Sequence, residues 1–282
     1  MKHFYIIVNE GKEEAVAVRN KVVEYLESRG ATCKASHGEF HKGYRFTDLN
    51  NVPKETECVI TLGGDGTLIR AARDLAGSGF PIIGINLGGL GYLTQIGREG
   101  DPNELLDALL EDRYTIQERM MLKGRVYHEG ELIAEDIALN DIVLTREGEM
   151  RVLKFELYVD DQYLTEYSAD GMIVATPTGS TAYSLSAGGP IAQPDGELLI
   201  LTPVCPHTMT SRTIVLGPES KVRIRIPLKS FGMRMVSFDG DTKVSLDPGD
   251  YYEIEKSDMV TRVIKLDHRS FLDILKHKMS EA

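Results

Sequence analysis

The sequence is short of three things: paired cysteines, long apolar runs and positive charge. Cysteine occurs only at Cys33, Cys58 and Cys205 in 282 residues. The number is odd and the spacing fits no zinc pattern, which argues against a disulfide framework and for a reducing compartment. The first apolar run, Phe4 to Val8, is far too short for a signal peptide or a membrane span. The chain therefore reads as cytoplasmic. Lys and Arg number 32 against 43 Asp and Glu, a net charge of −11. That balance excludes a general nucleic-acid or anionic-membrane surface, although local basic residues can still bind phosphates. Familiar motifs are missing as well. The chain has no G-x-x-x-x-G-K-S/T loop, no G-x-S-x-G elbow and no H-E-x-x-H pair. After the first strand it reads Asn9-Glu10-Gly11-Lys12 rather than G-x-G-x-x-G. These absences argue against a P-loop enzyme, an α/β hydrolase, a zinc protease and a dehydrogenase.

What is present centres on Gly63-Gly64-Asp65-Gly66-Thr67. The apolar run Val59 to Leu62 leads into it, and Leu68, Ala71, Ala72 and Leu75 lead out at helical spacing. The motif thus sits where a buried strand turns into a helix. Glycine lets the backbone turn sharply and approach a ligand. The helix N-terminus offers free N–H groups and partial positive charge, which suits a phosphate. Asp65 is an anion in that phosphate-shaped turn. It fits there as a metal ligand, a proton acceptor or a partner for a hydroxyl beside the phosphate; the plainer alternative is a helix cap.

Along the chain, Phe4 to Val8 reads as a buried parallel strand. Ala15, Val18, Val22, Tyr25 and Leu26 mark a helix that Gly30 stops, and Ala31 to Ala35 a second strand. Residues 36–57 are polar and irregular, with His37 and His41 as solvated loop residues rather than ligands. Pro81 to Asn86 is another buried strand, ending in a second glycine-rich loop, Gly88-Gly89-Leu90-Gly91-Tyr92. Two such loops at the carboxyl ends of parallel strands make a ligand crevice. Asp101-Pro102-Asn103-Glu104 opens a helix with cap, proline and glutamate in order.

After Tyr114 the helical period gives way to alternation and hairpin turns such as His128 to Glu131 and Asp160-Asp161-Gln162. Many short strands with regular turns indicate an antiparallel sandwich. Ser270 then caps a last helix with Phe271, Ile274 and Leu275 on one face. The fold expectation is an α+β chain of two domains. Residues 1–115 form a Rossmann-like α/β domain, 116–267 an antiparallel β-sandwich, and a C-terminal helix within 268–282 returns to the first domain or packs on a neighbouring subunit.

Three stretches of the β domain carry chemistry. Asn140-Asp141 offers an amide and a carboxylate within one reach, which suits a sugar diol or simply a turn. Tyr167-Ser168-Ala169-Asp170-Gly171 places Asp170 as a turn former or a ligand acceptor. Thr176 to Ser186, followed by Gly188-Gly189-Pro190, is a loop of hydroxyls and small residues. Hydroxyls and amides there can read a base edge, and Tyr183 can stack on a ring.

Taken together, Thr61 to Thr67, Asn140-Asp141, Asp170-Gly171 and Thr176 to Ser186 resemble the NAD kinase family, also called ATP-NAD kinases. Pro203-Val204-Cys205-Pro206-His207, with Arg212 and Ile214-Val215, is similar to a further stretch of that family. GGDGT alone is shared with diacylglycerol-type lipid kinases; the order of all four motifs is far more specific. The resemblance implies transfer of the terminal phosphoryl of ATP, or of polyphosphate, to the 2′-hydroxyl of the adenosine ribose of NAD. It implies Mg²⁺ or another divalent metal and a homodimer or homotetramer. By the same resemblance Asp65 is the proton acceptor, with Gly66 its neighbour. Asn140 and Asp141 serve the NAD ribose and Asp170 the nicotinamide side. Thr181, Ala182, Tyr183, Ser184, Leu185 and Ser186 surround the adenine, and Arg151 lies near the ligand. Gly63, Gly64, Thr67 and Arg70 fall on the donor-phosphate side, and the 116–267 domain becomes the NAD-binding one. The chain departs from the family's pattern in having Asp141 for a frequent Glu, Ser168 for a frequent Arg and Asp241 for an occasional Gln. Two other readings remain: a lipid kinase with the same turn, and a dinucleotide-binding regulator without catalysis.

Overall fold

The computed structural model describes residues 1–8, 13–36, 47–89, 91–96, 101–148, 152–208, 211–266 and 270–280. They group into two compact units, Met1–Glu118 with Thr261–Ala282, and Arg119–Val260.

In the first unit, β1 (His3–Val8) lies between β2 (Thr32–Ala35) and β3 (Cys58–Gly63), and β4 (Ile82–Asn86) follows β3, all parallel. Their near-continuous apolar sequences follow from burial on both faces. Residues Phe4 to Val8 and all of Cys58–Gly63 are buried. The helices are α1 (Glu13–Ser28), α2 (Asp65–Asp74) and α3 (Pro102–Leu110). Val22 and Leu26 of α1 and Leu105 and Leu109 of α3 share a core with Phe4, Ile6 and Ile60. Local signals set the helix ends. Gly30 adopts φ +80, which an L side chain resists, and α1 ends just before it. The Asp101 side chain accepts the Asn103 N–H at 2.9 Å, with Pro102 at the first helical position.

The second unit begins along β5 (Thr115–His128) and continues through β6 (Glu131–Ala138), β7 (Asp141–Glu147), β8 (Leu153–Val159), β9 (Gln162–Ala169) and β10 (Gly171–Ala175). The one-turn α4 (Tyr183–Ser186) precedes β11 (Leu199–Val204), β12 (Ile214–Leu216), β13 (Val222–Arg225), β14 (Met233–Phe238) and β15 (Thr242–Ser245). The last strand is β16 (Tyr251–Lys265), and α5 (Phe271–Ser280) ends the described chain. One sheet pairs β9, β8, β13 and β16, with β5 and β6 beyond; the other runs β12-β11-β10-β7-β14-β15, all antiparallel. Phe155, Leu157 and Ile224 of the first sheet bury against Ile142, Leu144, Val174 and Phe238 of the second, which makes a sandwich. Asp160 and Asp161 both take positive φ, as do Glu129 and Gly130. That is the two-residue hairpin geometry whose twist matches the strands.

Two strands outrun the stretches whose alternation marks them in the sequence, Gly124 to Tyr127 and Tyr251 to Glu255. β5 starts at Thr115 and β16 continues to Lys265. Residues from Thr261 onward group with the first unit, where Val263 pairs in parallel with Ile82 and Ile264 and Leu266 enter the core. α5 belongs to the same unit, capped by Ser270, whose hydroxyl accepts the Asp273 N–H at 3.1 Å. Among the described residues no helix is long and apolar enough to cross a membrane.

Gly171 tests the close approach of β10 and β7. A Cβ built there meets the Leu144 carbonyl oxygen at 2.1 Å, and backbone in a ladder cannot swing aside. Gly171→Ala should cost about 1–3 kcal/mol by overpacking and lower the thermal midpoint seen by circular dichroism. An unchanged midpoint would contradict this packing.

Candidate active site

The Gly63–Thr67 turn joins β3 to α2. Gly63 must be glycine because a Cβ there would lie 2.2 Å from the Thr67 hydroxyl. Gly64 is the N-cap residue, with extended backbone and no side-chain cap. Asp65 is the first residue inside the helix. Its carboxylate does not cap its own helix. It accepts the N–H of Tyr92 at 2.8 Å, of Leu93 at 3.3 Å and of Thr94 at 3.1 Å, and the Thr94 hydroxyl at 3.1 Å. The helix-cap alternative is thereby replaced by another arrangement: Asp65 fastens the loop after β4 to the turn after β3. Gly66 is exposed, with open space where a side chain would stand. Arg70 lies one turn further along α2, partly buried.

The loop after β4 is built to meet Asp65. Asn86 accepts the Gly88 N–H at 2.9 Å and donates to the Gly89 carbonyl and, at 3.3 Å, to Thr94 Oγ1. Gly91 passes so close that a Cβ would sit 2.1 Å from Asp65 Oδ1. Thr94, fully buried, was not singled out by sequence reading. Its signal was its place just after the second glycine-rich loop.

In the second unit, Asn140 and Asp141 stand at the entry to β7. A single carboxylate sets this turn: Asp239 accepts the N–H groups of Leu139, Asn140 and Asp141 at 2.7, 2.8 and 3.0 Å. Asp239, too, escaped the sequence reading, although it opens the hairpin turn Asp239-Gly240-Asp241. Gly179 backs the turn, since a Cβ there would lie 2.1 Å from the Asn140 carbonyl oxygen. The Asn140 side-chain oxygen is buried and has no hydrogen-bond partner among the described residues. Such an orphan acceptor marks a place for a ligand or water donor. Asp141 is 6% exposed. Burial, and then the charge of Asp239, push its carboxyl up to about 7.

Asp170 connects β9 to β10 and pairs with Arg146 at 3.2 Å. The hydroxyl-rich loop lies over the outer face of the second sheet, where Ala187 and Ala192 pack on Ile173, Ala175 and Ile200. Most of its hydroxyls are already bonded to the protein. Thr176 Oγ1 donates to Leu139 O at 2.6 Å, Ser180 Oγ to Pro177 O at 2.6 Å and Thr181 Oγ1 to Thr178 O at 3.3 Å. Ser184, fully buried, shares a bond with Thr202 at 3.0 Å. Ala182 is partly buried, whereas Tyr183, Leu185 and Ser186 are exposed. Burial first, then the charges of Cys205, Asp170 and Asp141, raise the Tyr183 hydroxyl above its ordinary pKa. Arg151, His37 and His41 lie outside the described residues.

Comparison with known proteins agrees on one family. The ATP-NAD kinase N-terminal domain matches residues 4–114 and the ATP-NAD kinase C-terminal domain residues 117–266. An NAD kinase of Lachnospira eligens is 42% identical over 294 residues, covering 99% of this chain and 100% of that one. An NAD kinase of Agathobacter rectalis is also 42% identical, covering 99% of each. Among solved structures, an Archaeoglobus fulgidus NAD kinase in complex with ATP superposes with a TM-score of 0.77 at 25% identity, covering 97% of both chains. Yeast NADH kinase complexed with NADH shares the fold, with a TM-score of 0.81 at 24% identity, covering 98% of this chain and 86% of that one.

The raised Asp141 carboxyl has a consequence for stability. Between the ordinary value of 3.8 and about 7 the folded chain keeps a proton that the unfolded chain has lost. The folded state binds more protons there, so this group's contribution to stability falls as pH rises through that window. Urea midpoints measured from pH 4 to 8 should fall less steeply in Asp141→Asn than in the wild type. Parallel pH profiles would contradict the assignment.

Proposed function

The chain belongs to the NAD kinase family, and from that premise we propose how its residues divide the work. The reaction moves the terminal phosphoryl of ATP onto NAD and makes NADP. The acceptor 2′-hydroxyl oxygen of the adenosine ribose bonds to the γ-phosphorus. The bond from that phosphorus to the β,γ-bridging oxygen breaks, ADP leaves with the electron pair, and the hydroxyl proton passes to Asp65.

The observation that carries this reading is the seat of Asp65. A carboxylate held by backbone N–H groups stands at the first turn of α2, beside the open position at Gly66. Phosphoryl transfer has a loose transition state, so positioning and charge neutralisation do most of the work. A carboxylate is a weak base toward a sugar hydroxyl. Asp65 therefore orients the hydroxyl first and takes its proton late, as the new bond forms. Gly63, Gly64 and Thr67 of the turn and the cation Arg70 serve the donor phosphates, and Gly66 serves NAD beside Asp65. Asn140, with its unpartnered oxygen, and Asp141 hold the ribose. Asp170 and Arg151 serve the rest of the dinucleotide. The Thr181–Ser186 loop borders the adenine, with Tyr183 as the stacking ring, Ala182, Leu185 and Ser186 beside it, and Ser184 holding the loop in shape.

Gly63, Gly64, Thr67 and Arg70 would hold the donor phosphates, and a divalent metal, Mg²⁺ by preference, would neutralise their charge there. Mg²⁺ keeps most of its waters and needs only one or two protein carboxylates beside the phosphates. Among the described residues, the grouping of three candidate ligands is His128, Asp247 and Asp250, in the second unit. Three cysteines without disulfides support a cytoplasmic enzyme. The family resemblance supports a homodimer or homotetramer.

The test is NADP formation from NAD, with ATP–Mg²⁺ and with polyphosphate as donors. No NADP with any donor would leave only a dinucleotide-binding role. Asp65→Asn should lower kcat by about a hundredfold or more; near-wild-type turnover sinks the role given to Asp65. Asn140→Ala should raise the KM for NAD by about tenfold. Loss of ATP affinity with intact NAD binding would contradict the placement of the Asn-Asp pair.

A further inference from the structure

The two oxygens of Asp65 are not equivalent. Oδ1 receives three donors: the Leu93 N–H at 3.3 Å, the Thr94 N–H at 3.1 Å and the Thr94 hydroxyl at 3.1 Å. Oδ2 receives one, the Tyr92 N–H at 2.8 Å. Each carboxylate oxygen offers about two lone-pair directions. Among the described residues, Oδ1 is saturated, its two shorter bonds both coming from Thr94, and Oδ2 keeps a direction free. We propose that Oδ2 is the atom that takes the proton of the acceptor hydroxyl, and that Thr94 is the positioning residue that enforces this division. The inference rests on reading Asp65 as the proton acceptor and goes beyond it by naming the atom and what fixes it.

The bonding of Thr94 leaves its hydroxyl no alternative. A hydroxyl has one proton and two lone pairs. Thr94 Oγ1 accepts the Gly91 N–H at 3.2 Å and the Asn86 side-chain amide at 3.3 Å. Both are donors only, so the single hydroxyl proton goes to Asp65 Oδ1. Thr94 is fully buried, so water does not compete. The Asn86 amide is itself oriented, because its oxygen accepts the Gly88 N–H and its nitrogen donates to the Gly89 carbonyl. Gly91 completes the seat by leaving no room for a side chain: a Cβ would stand 2.1 Å from Asp65 Oδ1 and 2.5 Å from Thr94 Oγ1. Exchange of the two oxygens by rotation breaks all four bonds at once. The proton acceptor therefore enters the reaction with its orientation already fixed.

Thr94→Val keeps the shape and removes the hydroxyl proton; Thr94→Ser keeps the proton. Steady-state kinetics with NAD and ATP–Mg²⁺ should show kcat about ten- to a hundredfold lower in Thr94→Val, with both KM values within about twofold. Thr94→Ser should recover kcat to within about threefold of the wild type. Gly91→Ala removes no donor but displaces the carboxylate. It should reproduce the kcat loss, and it decides the matter if Thr94→Val does not fold by circular dichroism. If Asp65→Asn stays active, the role of Asp65 fails and this inference with it. If Asp65→Asn is inactive while folded Thr94→Val or Gly91→Ala keeps wild-type kcat, the division between the oxygens is wrong and the role of Asp65 stands. A Thr94→Val loss confined to KM also overturns it.

Discussion

Four hydrogen bonds converge on one carboxylate, and the arrangement of the two glycine-rich loops of the first unit depends on them. β3 and β4 are neighbouring parallel strands, and each ends in a glycine-rich turn. Backbone bonds start the registration, with the Leu87 N–H reaching Gly63 O at 3.2 Å. Asp65 completes it by receiving the N–H groups of Tyr92, Leu93 and Thr94. Its position in the first turn of α2 is favourable for an anion, since the helix dipole is positive there. One charge thus satisfies donors of a loop, complements a helix and keeps a free lone pair. Replacing it with an amide changes the first two functions as well as the third.

The second unit uses the same device at another turn. Asp239 collects the N–H groups of Leu139, Asn140 and Asp141, and its own N–H returns to Asp141 O at 3.0 Å. Asp239 takes φ +49 to do so, a conformation that costs an ordinary L residue about 1–2 kcal/mol but that Asp tolerates through local hydrogen bonds. The arrangement has an electrostatic price at the neighbour. Asp141 sits buried beside the fixed negative charge of Asp239, and both effects keep its proton on to about 7.

The sequence was most legible where structure is decided locally. Asp101-Pro102 and Ser270 cap helices, Gly30 ends one, and Asp160-Asp161 turns a hairpin, because each depends on backbone preferences of a few residues. Buried strands and alternating strands were legible from period. The strand ends were not: β16 runs on to Lys265 because its tail pairs with β4, and a partner so distant in sequence leaves no local signal. The same holds at the candidate site. A glycine-rich motif singles out Asp65, and an Asn-Asp pair beside an apolar strand singles out Asn140-Asp141, yet their partners Thr94 and Asp239 are 29 and about 100 residues away. Hydroxyls near Tyr183 read as open contacts, whereas Ser180 and Ser184 turn inward to hold the loop. Composition shows which groups are present; only packing decides which remain free.

That distinction bears on how the dinucleotide can be recognised. A loop whose hydroxyl protons are already given to carbonyls has mainly lone pairs left to offer a base, because each donation to the base would break a bond already present. Recognition there falls to what packing leaves available: the exposed Tyr183 ring, the Ser186 hydroxyl and the backbone between them. At Asn140 the reverse holds, since its side-chain oxygen is buried without a partner among the described residues. A ligand hydroxyl that bonds it removes an existing penalty instead of exchanging one bond for another. Under the proposed assignment of Asn140 to the ribose, that contact is the one for which the free protein is most nearly prepared, and discrimination should depend more on the sugar hydroxyls than on the base edge.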